Sequence, residues 1–228
     1  MDTALDNPIW SSLQTIHRGL ARAHGSVARY PADHAPFLGV ESAAAVDAAE
    51  ACAALVGQGE TVYLLGAAPE AVPPGWELKA FAPLAQMLCD VPLPVVDGPP
   101  VIALAEAHRA DVLALTALVY PHYFREHTMA MGRYFGIYEQ GRLAAMIGER
   151  LGTPRCREMS AICTHPDFNG RGLARRLTAW LGNDCLASGV QPFLHVSHEN
   201  LRAKALYQQM GYRLRRDIGF WALQRRPG

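Results

Sequence analysis

Residues 159–177, MSAICTHPDFNGRGLARRL, combine types and spacing suited to holding an anion. An apolar, strand-like run ends at His165-Pro166, passes through a glycine-bearing turn, and enters a segment with helical spacing. The turn's backbone N–H groups have no intrahelical partner, and the helix start adds partial positive charge. A pyrophosphate is the natural guest of such a loop.

Two familiar phosphate-binding patterns fail here. The dinucleotide fingerprint needs a third glycine for close helix–sheet packing, and Arg175 stands in its place. A Walker loop needs Gly-Lys-Ser/Thr, which is absent. A plain strand-to-helix turn accounts for the same glycines.

The elements that must position this loop follow from periodicity and breakers. The proline-rich stretch 90–100 reads as an extended connector between residues 1–95 and 101–228. Before it, spacing predicts helices over 7–23 and 43–56 and strands over 61–65 and 76–81. After it come a helix near 106–119 and two strands over 133–138 and 143–148 joined by a Gly-containing turn. A strand over 158–164 then leads through the loop into a helix ending near 187. A strand over 192–196, a helix over 200–210 and a last strand near 220–223 follow. This order implies an α/β (α+β) protein with a mixed central sheet, preceded by a smaller α/β N-terminal region.

The 228 residues carry 21 basic and 21 acidic side chains, a balance that argues against a general nucleic-acid binder. No apolar run approaches the ~18 residues of a membrane span, and no signal peptide is visible at the start. The five cysteines, Cys52, Cys89, Cys156, Cys163 and Cys185, lack C-x-x-C or zinc-ligand spacing and read as free thiols in a reducing compartment. Lysine occurs only at 79 and 204 beside many arginines, a composition suggesting a GC-rich bacterial genome. Together these features predict a soluble cytoplasmic protein with no metal.

Asn169-Gly-Arg-Gly-Leu-Ala174 resembles the acyl-CoA loop of the GNAT superfamily of N-acyltransferases, with Asn169, Gly172 and Ala174 in the motif's slots. Asn169 departs from the Gln or Arg usual at the first slot. Residues 198–212, HENLRAKALYQQMGY, are similar to the family's second signature at Asn200, Ala203, Tyr207, Gly211 and Tyr212. The resemblance covers residue 101 to the end and implies a sheet splayed between central strands. The N-terminal half reads as a degenerate copy of the same fold, as in the similar two-part glycine N-acyltransferases.

By this resemblance the cofactor is acetyl-CoA. Ile162, Cys163 and Thr164 would pair with its pantetheine arm, and Asn200 is a further contact or simply a helix N-cap. Asn169, Gly170, Arg171, Gly172, Leu173 and Ala174 would hold the pyrophosphate through backbone amides, with Arg171, Arg175 or Arg176 meeting phosphates. Tyr207 is the expected general acid for the departing thiolate, against a plain packing role on an apolar helix face. Glu158 is the expected base, sharing a strand face with Ser160 and Ile162 under alternation, with His195 and Glu149 as rivals. His122, Tyr123, Arg125 and His195 are the expected acceptor-pocket residues. The implied activity is acetyl transfer to a primary amine of a small molecule or peptide, by a monomer or homodimer. A non-catalytic acyl-CoA-binding module of the same fold is the alternative.

Overall fold

The computed structural model describes residues 3–95 and 97–227, so Val96 of the connector and the extreme termini lie outside it. Helix α1 (Pro8–Gln14) opens on a proline, whose missing N–H costs nothing at a helix start. It is shorter than the periodicity of 7–23 suggests. His17 is drawn into the interior, where its ring meets Tyr30 Oη at 2.8 Å and the Met131 carbonyl at 2.7 Å. Strands β1 (Arg22–His24), β2 (Val27–Arg29) and β3 (Leu38–Val40) follow as a small antiparallel sheet. Helix α2 (Ala48–Leu55) starts late because the Asp47 carboxylate accepts the Ser26 N–H at 3.0 Å instead of extending the helix.

Next come β4 (Thr61–Leu65), β5 (Trp76–Ala80), β6 (Leu84–Leu88), β7 (Ile102–Ala103) and α3 (Arg109–Val119). The rest of the chain is β8 (Tyr134–Glu139), β9 (Arg142–Gly152), β10 (Cys156–Thr164), α4 (Leu173–Ala187), β11 (Gln191–Ser197), α5 (Leu201–Gln209), β12 (Arg213–Ile218) and β13 (Phe220–Arg225). The main sheet has seven strands in the order β12-β6-β11-β10-β9-β8-β7, and β4-β13-β5 form a further antiparallel sheet. The fold is the expected mixed α/β architecture. Its sheets draw on both sides of the connector: β6 lies between β11 and β12, and β13 lies between β4 and β5.

One pairing shapes everything near the loop. β10 and β11 run parallel only from Cys156–Gln191 to Glu158–Phe193. Beyond Glu158 they part, while β11 stays paired with β6 as far as Ser197–Leu84. β10 meanwhile keeps its other edge on β9, with one extra residue inserted between Ser160 and Cys163. Ala161, at φ 49°, occupies that bulge, and a bulge bends the strand and increases its twist.

The bulge also shifts the side-chain alternation. Met159 and Ile162 pack with Leu173 and Leu177 of α4, whereas Ala161 and Cys163 pack with Val112 and Leu115 of α3. Ile162 therefore does not share the face of Glu158 and Ser160, as simple alternation predicts. The extra residue breaks the period of two.

Removing residues 1–95 takes β6 out of the main sheet and strips β13 of both neighbours. The remainder is expected to be insoluble or to lose its cooperative thermal transition, read by circular dichroism. A soluble, cooperatively melting remainder with full activity would show that residues 96–228 are self-sufficient.

Candidate active site

A cavity of about 600 Å³ opens where β10 and β11 separate. Its lining includes Glu158 to Cys163 of β10, Leu194 to Ser197 of β11, and Asn200, Ala203 and Tyr207 at the cap and along α5. The far wall is aromatic: Phe37, Phe81, Tyr120, Tyr123 and Phe220. Phe37 and Phe81 come from before the connector.

Glu158 is the polar centre of the cavity and is almost fully enclosed, at 1 % exposure. Arg150 grips it bidentately, Nε to Oε2 at 2.9 Å and Nη2 to Oε1 at 2.7 Å. The Leu151 N–H donates to Oε2 at 3.1 Å, and His195 Nδ1–H donates to Oε1 at 2.7 Å. Burial alone would raise this carboxyl's pKa, but the Arg150 guanidinium and the hydrogen bonds from Arg150 and His195 hold it far below the usual carboxylate range. Arg150 answers in the same way: burial opposes its charge, and Glu158 more than restores it.

This geometry weighs against Glu158 as the general base. Four donors saturate its two oxygens, and its affinity for a proton is greatly weakened. Its oxygens hold Arg150 and His195 in place.

His195 lines the cavity, yet both ring nitrogens are engaged. Nε2 faces Gln86 Nε2 at 3.0 Å, and the same amide donates to the Leu5 carbonyl at 2.8 Å. Gln86 Oε1 accepts from Arg215 Nη1 at 2.8 Å, which fixes the amide's orientation. With a carboxylate at Nδ1 and an N–H donor at Nε2, the ring is held as the Nδ1–H tautomer. The rival base Glu149 lies elsewhere, against α4, where Arg133 Nη2 approaches it at 2.6 Å and Cys185 at 3.5 Å.

Tyr207 is buried on α5 and lines the cavity, and burial raises its phenol pKa so that the O–H is retained. Among the described residues its hydroxyl has no hydrogen-bond partner. Asn200 caps the same helix, its Oδ1 accepting the Ala203 N–H at 3.1 Å.

The glycine loop sits beyond the end of β10. Gly170 and Gly172 hold φ values of 80° and 76°, and a Cβ at either would meet nothing within 4 Å, so the loop's outer side is open. The Asn169 N–H is spent within the turn, donating to the Pro166 carbonyl at 3.2 Å. The N–H groups of 170–175 donate to no group among the described residues, which leaves them open to an acceptor from outside the chain. Arg171 pairs with Glu139 at 2.8 Å and lies over the Phe168 ring, while Arg176 Nε donates to the Pro99 carbonyl at 2.7 Å. Arg175 makes no ion pair among the described residues.

Of the expected acceptor residues, Tyr123 and His195 reach the cavity. His122 and Arg125 do not: Arg125 Nη1 turns back to the carbonyls of His122 and Phe124 at 3.1 and 3.2 Å. Sequence reasoning missed Arg150, Tyr120 and Gln86. Arg150 had one available signal, since it directly follows Glu149 in a strand facing Glu158 across the hairpin. Among the described residues no helix is long and apolar enough to cross a membrane. None of them form a cluster of three or more acidic, histidine or cysteine residues able to hold a metal ion.

A mixed sheet splayed beside a glycine loop and a tyrosine-bearing helix defines the fold of an acetyltransferase class. The FR47-like protein family matches residues 134–221. A GNAT-family protein of Novosphingobium aromaticivorans, assigned as an acetyltransferase, is 36 % identical over 98 % of this chain and 99 % of its own, with a TM-score of 0.86. A GCN5-related N-acetyltransferase from Kribbella flavida shares the fold at 18 % identity, covering 96 % of this chain and 93 % of its own, with a TM-score of 0.63. A GCN5-related N-acetyltransferase-like protein from Streptococcus suis does so at 13 % identity over 95 % and 92 %, with a TM-score of 0.56. No curated protein matches the chain significantly. The chain belongs to the GNAT acetyltransferase family.

Glu158→Gln leaves Arg150 buried without its counter-charge, a loss of about 3–5 kcal/mol for a broken buried pair. Glu158 has its folded pKa below the ordinary 4.5, so its contribution is complete above that value and fades as pH falls through the folded pKa. Denaturant unfolding should show a constant gap to wild type from pH 8 to about 5 that narrows in stronger acid. A gap that widens on acidification would contradict the ion pair.

Proposed function

We propose that this protein transfers an acetyl group from acetyl-CoA to a primary amine by direct attack. The observation that carries this reading is the gap between β10 and β11, which leaves one edge of β10 unpaired beyond Glu158 and ends in the open N–H groups of 170–175. An extended pantetheine arm fits that edge as an added strand through Ile162, Cys163 and Thr164, and a pyrophosphate fits the loop and the α4 N-terminus. When bound, acetyl-CoA supplies the activated thioester carbonyl.

The chain's own residues do the rest by placement and proton management. Tyr207, protonated by virtue of burial, holds an O–H toward the cavity for the departing thiolate. Asn200 fixes the start of the helix that carries Tyr207. Glu158, Arg150 and His195 form a rigid, charge-balanced floor that sets the cavity's shape. The ammonium's proton passes to solvent at the cavity mouth, where Glu199 is an exposed carboxylate.

Direct attack is also supported by the cysteines. All five are free and buried, and burial pushes Cys163, the one in the cavity lining, up to about 12. A thiol so protonated is a poor nucleophile, which disfavours an acyl-cysteine intermediate.

Calorimetric titration with acetyl-CoA, together with thiol release on a panel of amines, tests the reading, and absence of binding would overturn it. Tyr207→Phe should lower kcat about 100-fold, the order expected of one general acid, while the acetyl-CoA dissociation constant stays put. Unchanged turnover would return Tyr207 to a packing role. Gly172→Glu should abolish acetyl-CoA binding, because it sets negative charge against the phosphates and forces a side chain onto a φ of 76°.

A further inference from the structure

The acetyl-transfer reading leaves the amine unnamed, and the cavity's composition narrows it. Tyr123 is the hub of an aromatic wall. Its ring lies 6.0 Å from Phe37, 5.6 Å from Tyr120 and 6.2 Å from Phe220, with Tyr63 behind it at 5.1 Å. Phe81 extends the wall, 5.1 Å from Phe220, and remains 36 % exposed. Leu84 and Val119 complete an apolar surface that the protein's own side chains leave partly uncovered. Burial and the neighbouring Tyr120 and Tyr63 push Tyr123 up to about 12, so the wall itself stays uncharged.

Charge in the cavity is equally selective. Among its described lining residues the one cation is Arg150, and Arg150 is already committed: its guanidinium chelates Glu158 and lies 4.8 Å from the centre of the Phe37 ring. Glu158 and Glu199 give the lining two carboxylates against that single cation. A carboxylate on the acceptor would find no free partner and would face like charge. An ammonium, by contrast, would find aromatic faces and a net negative lining.

We propose that the acceptor is a primary amine on a short chain bearing an aromatic or similarly bulky apolar group, with no carboxylate, bound against Tyr123, Phe220 and Phe81. This rests on the acetyl-transfer reading of the same site. The apolar body covers the aromatic wall, and the amine nitrogen is left pointing into the gap between β10 and β11.

The test uses the full chain with acetyl-CoA and measures thiol release for phenethylamine, phenylalanine and ethanolamine. Phenethylamine should exceed ethanolamine in kcat/KM by about 100-fold, the order expected from burying one phenyl group, and should exceed phenylalanine by about tenfold or more, because the added carboxylate meets like charge and no free cation. Tyr123→Leu and Phe220→Leu should each raise KM for phenethylamine about tenfold while the acetyl-CoA dissociation constant stays within about twofold of wild type, which also reports an intact fold. Preference for ethanolamine or phenylalanine would overturn the acceptor assignment and leave acetyl transfer standing. If no amine releases thiol, calorimetric titration of the protein with phenethylamine and with ethanolamine still decides the pocket. Tighter binding of phenethylamine supports it with the transfer reading in fault, and equal or absent binding overturns it.

Discussion

Two adjacent parallel strands, β10 and β11, pair for three residues and then separate, and the site exists because they do. Unpaired backbone inside a protein is costly, so the separation has to be held open by something stronger than the hydrogen bonds given up. Here each strand is committed on its other side, β10 to β9 and β11 to β6, and the bulge at Ala161 turns β10 away. Glu158 sits at the fork, with Arg150 from β9 and His195 from β11 both bound to it. The last contact before the strands part is thus an ion pair and a charged hydrogen bond rather than apolar packing.

That choice has consequences for chemistry. A buried carboxylate shared among a guanidinium, a histidine and a backbone N–H is rigid because each partner would be left with an uncompensated group if it moved. Rigidity suits a site whose work is to align two reactants. The same saturation weakens Glu158 as a proton acceptor, while burial lets the phenol of Tyr207 keep its proton. The network continues through Gln86 to Arg215, so the N-terminal portion helps to set the histidine's tautomer as well as to complete the sheet.

Much of the site was legible in the chain. The loop at 169–174, the helix it enters and the second signature from Asn200 to Tyr212 lie where spacing placed them, because local glycine geometry and helix periodicity dictate those elements. Other features were hidden for definite reasons. β6 precedes a proline-rich run and has no alternation, since all but its first residue are buried. The bulge at Ala161 carries no glycine to announce it. The resemblance placed Arg125 and His122 in the pocket, but their direction depends on a loop whose path is set by Thr128 and His34, the Thr128 hydroxyl donating to the His34 carbonyl at 2.6 Å.

By itself the sequence determined the family resemblance, the glycine loop, the position of Tyr207 and the mixed α/β class, all consequences of residue order over short spans. The tertiary structure alone decided that four donors meet at Glu158, that residues from before the connector add β6 to the main sheet and Phe37 and Phe81 to the aromatic wall, and that the cavity's described lining carries no uncommitted cation. Those outcomes depend on which distant groups meet at the fork. A carboxylate's affinity for a proton follows from its neighbours in space, and chain order does not specify them.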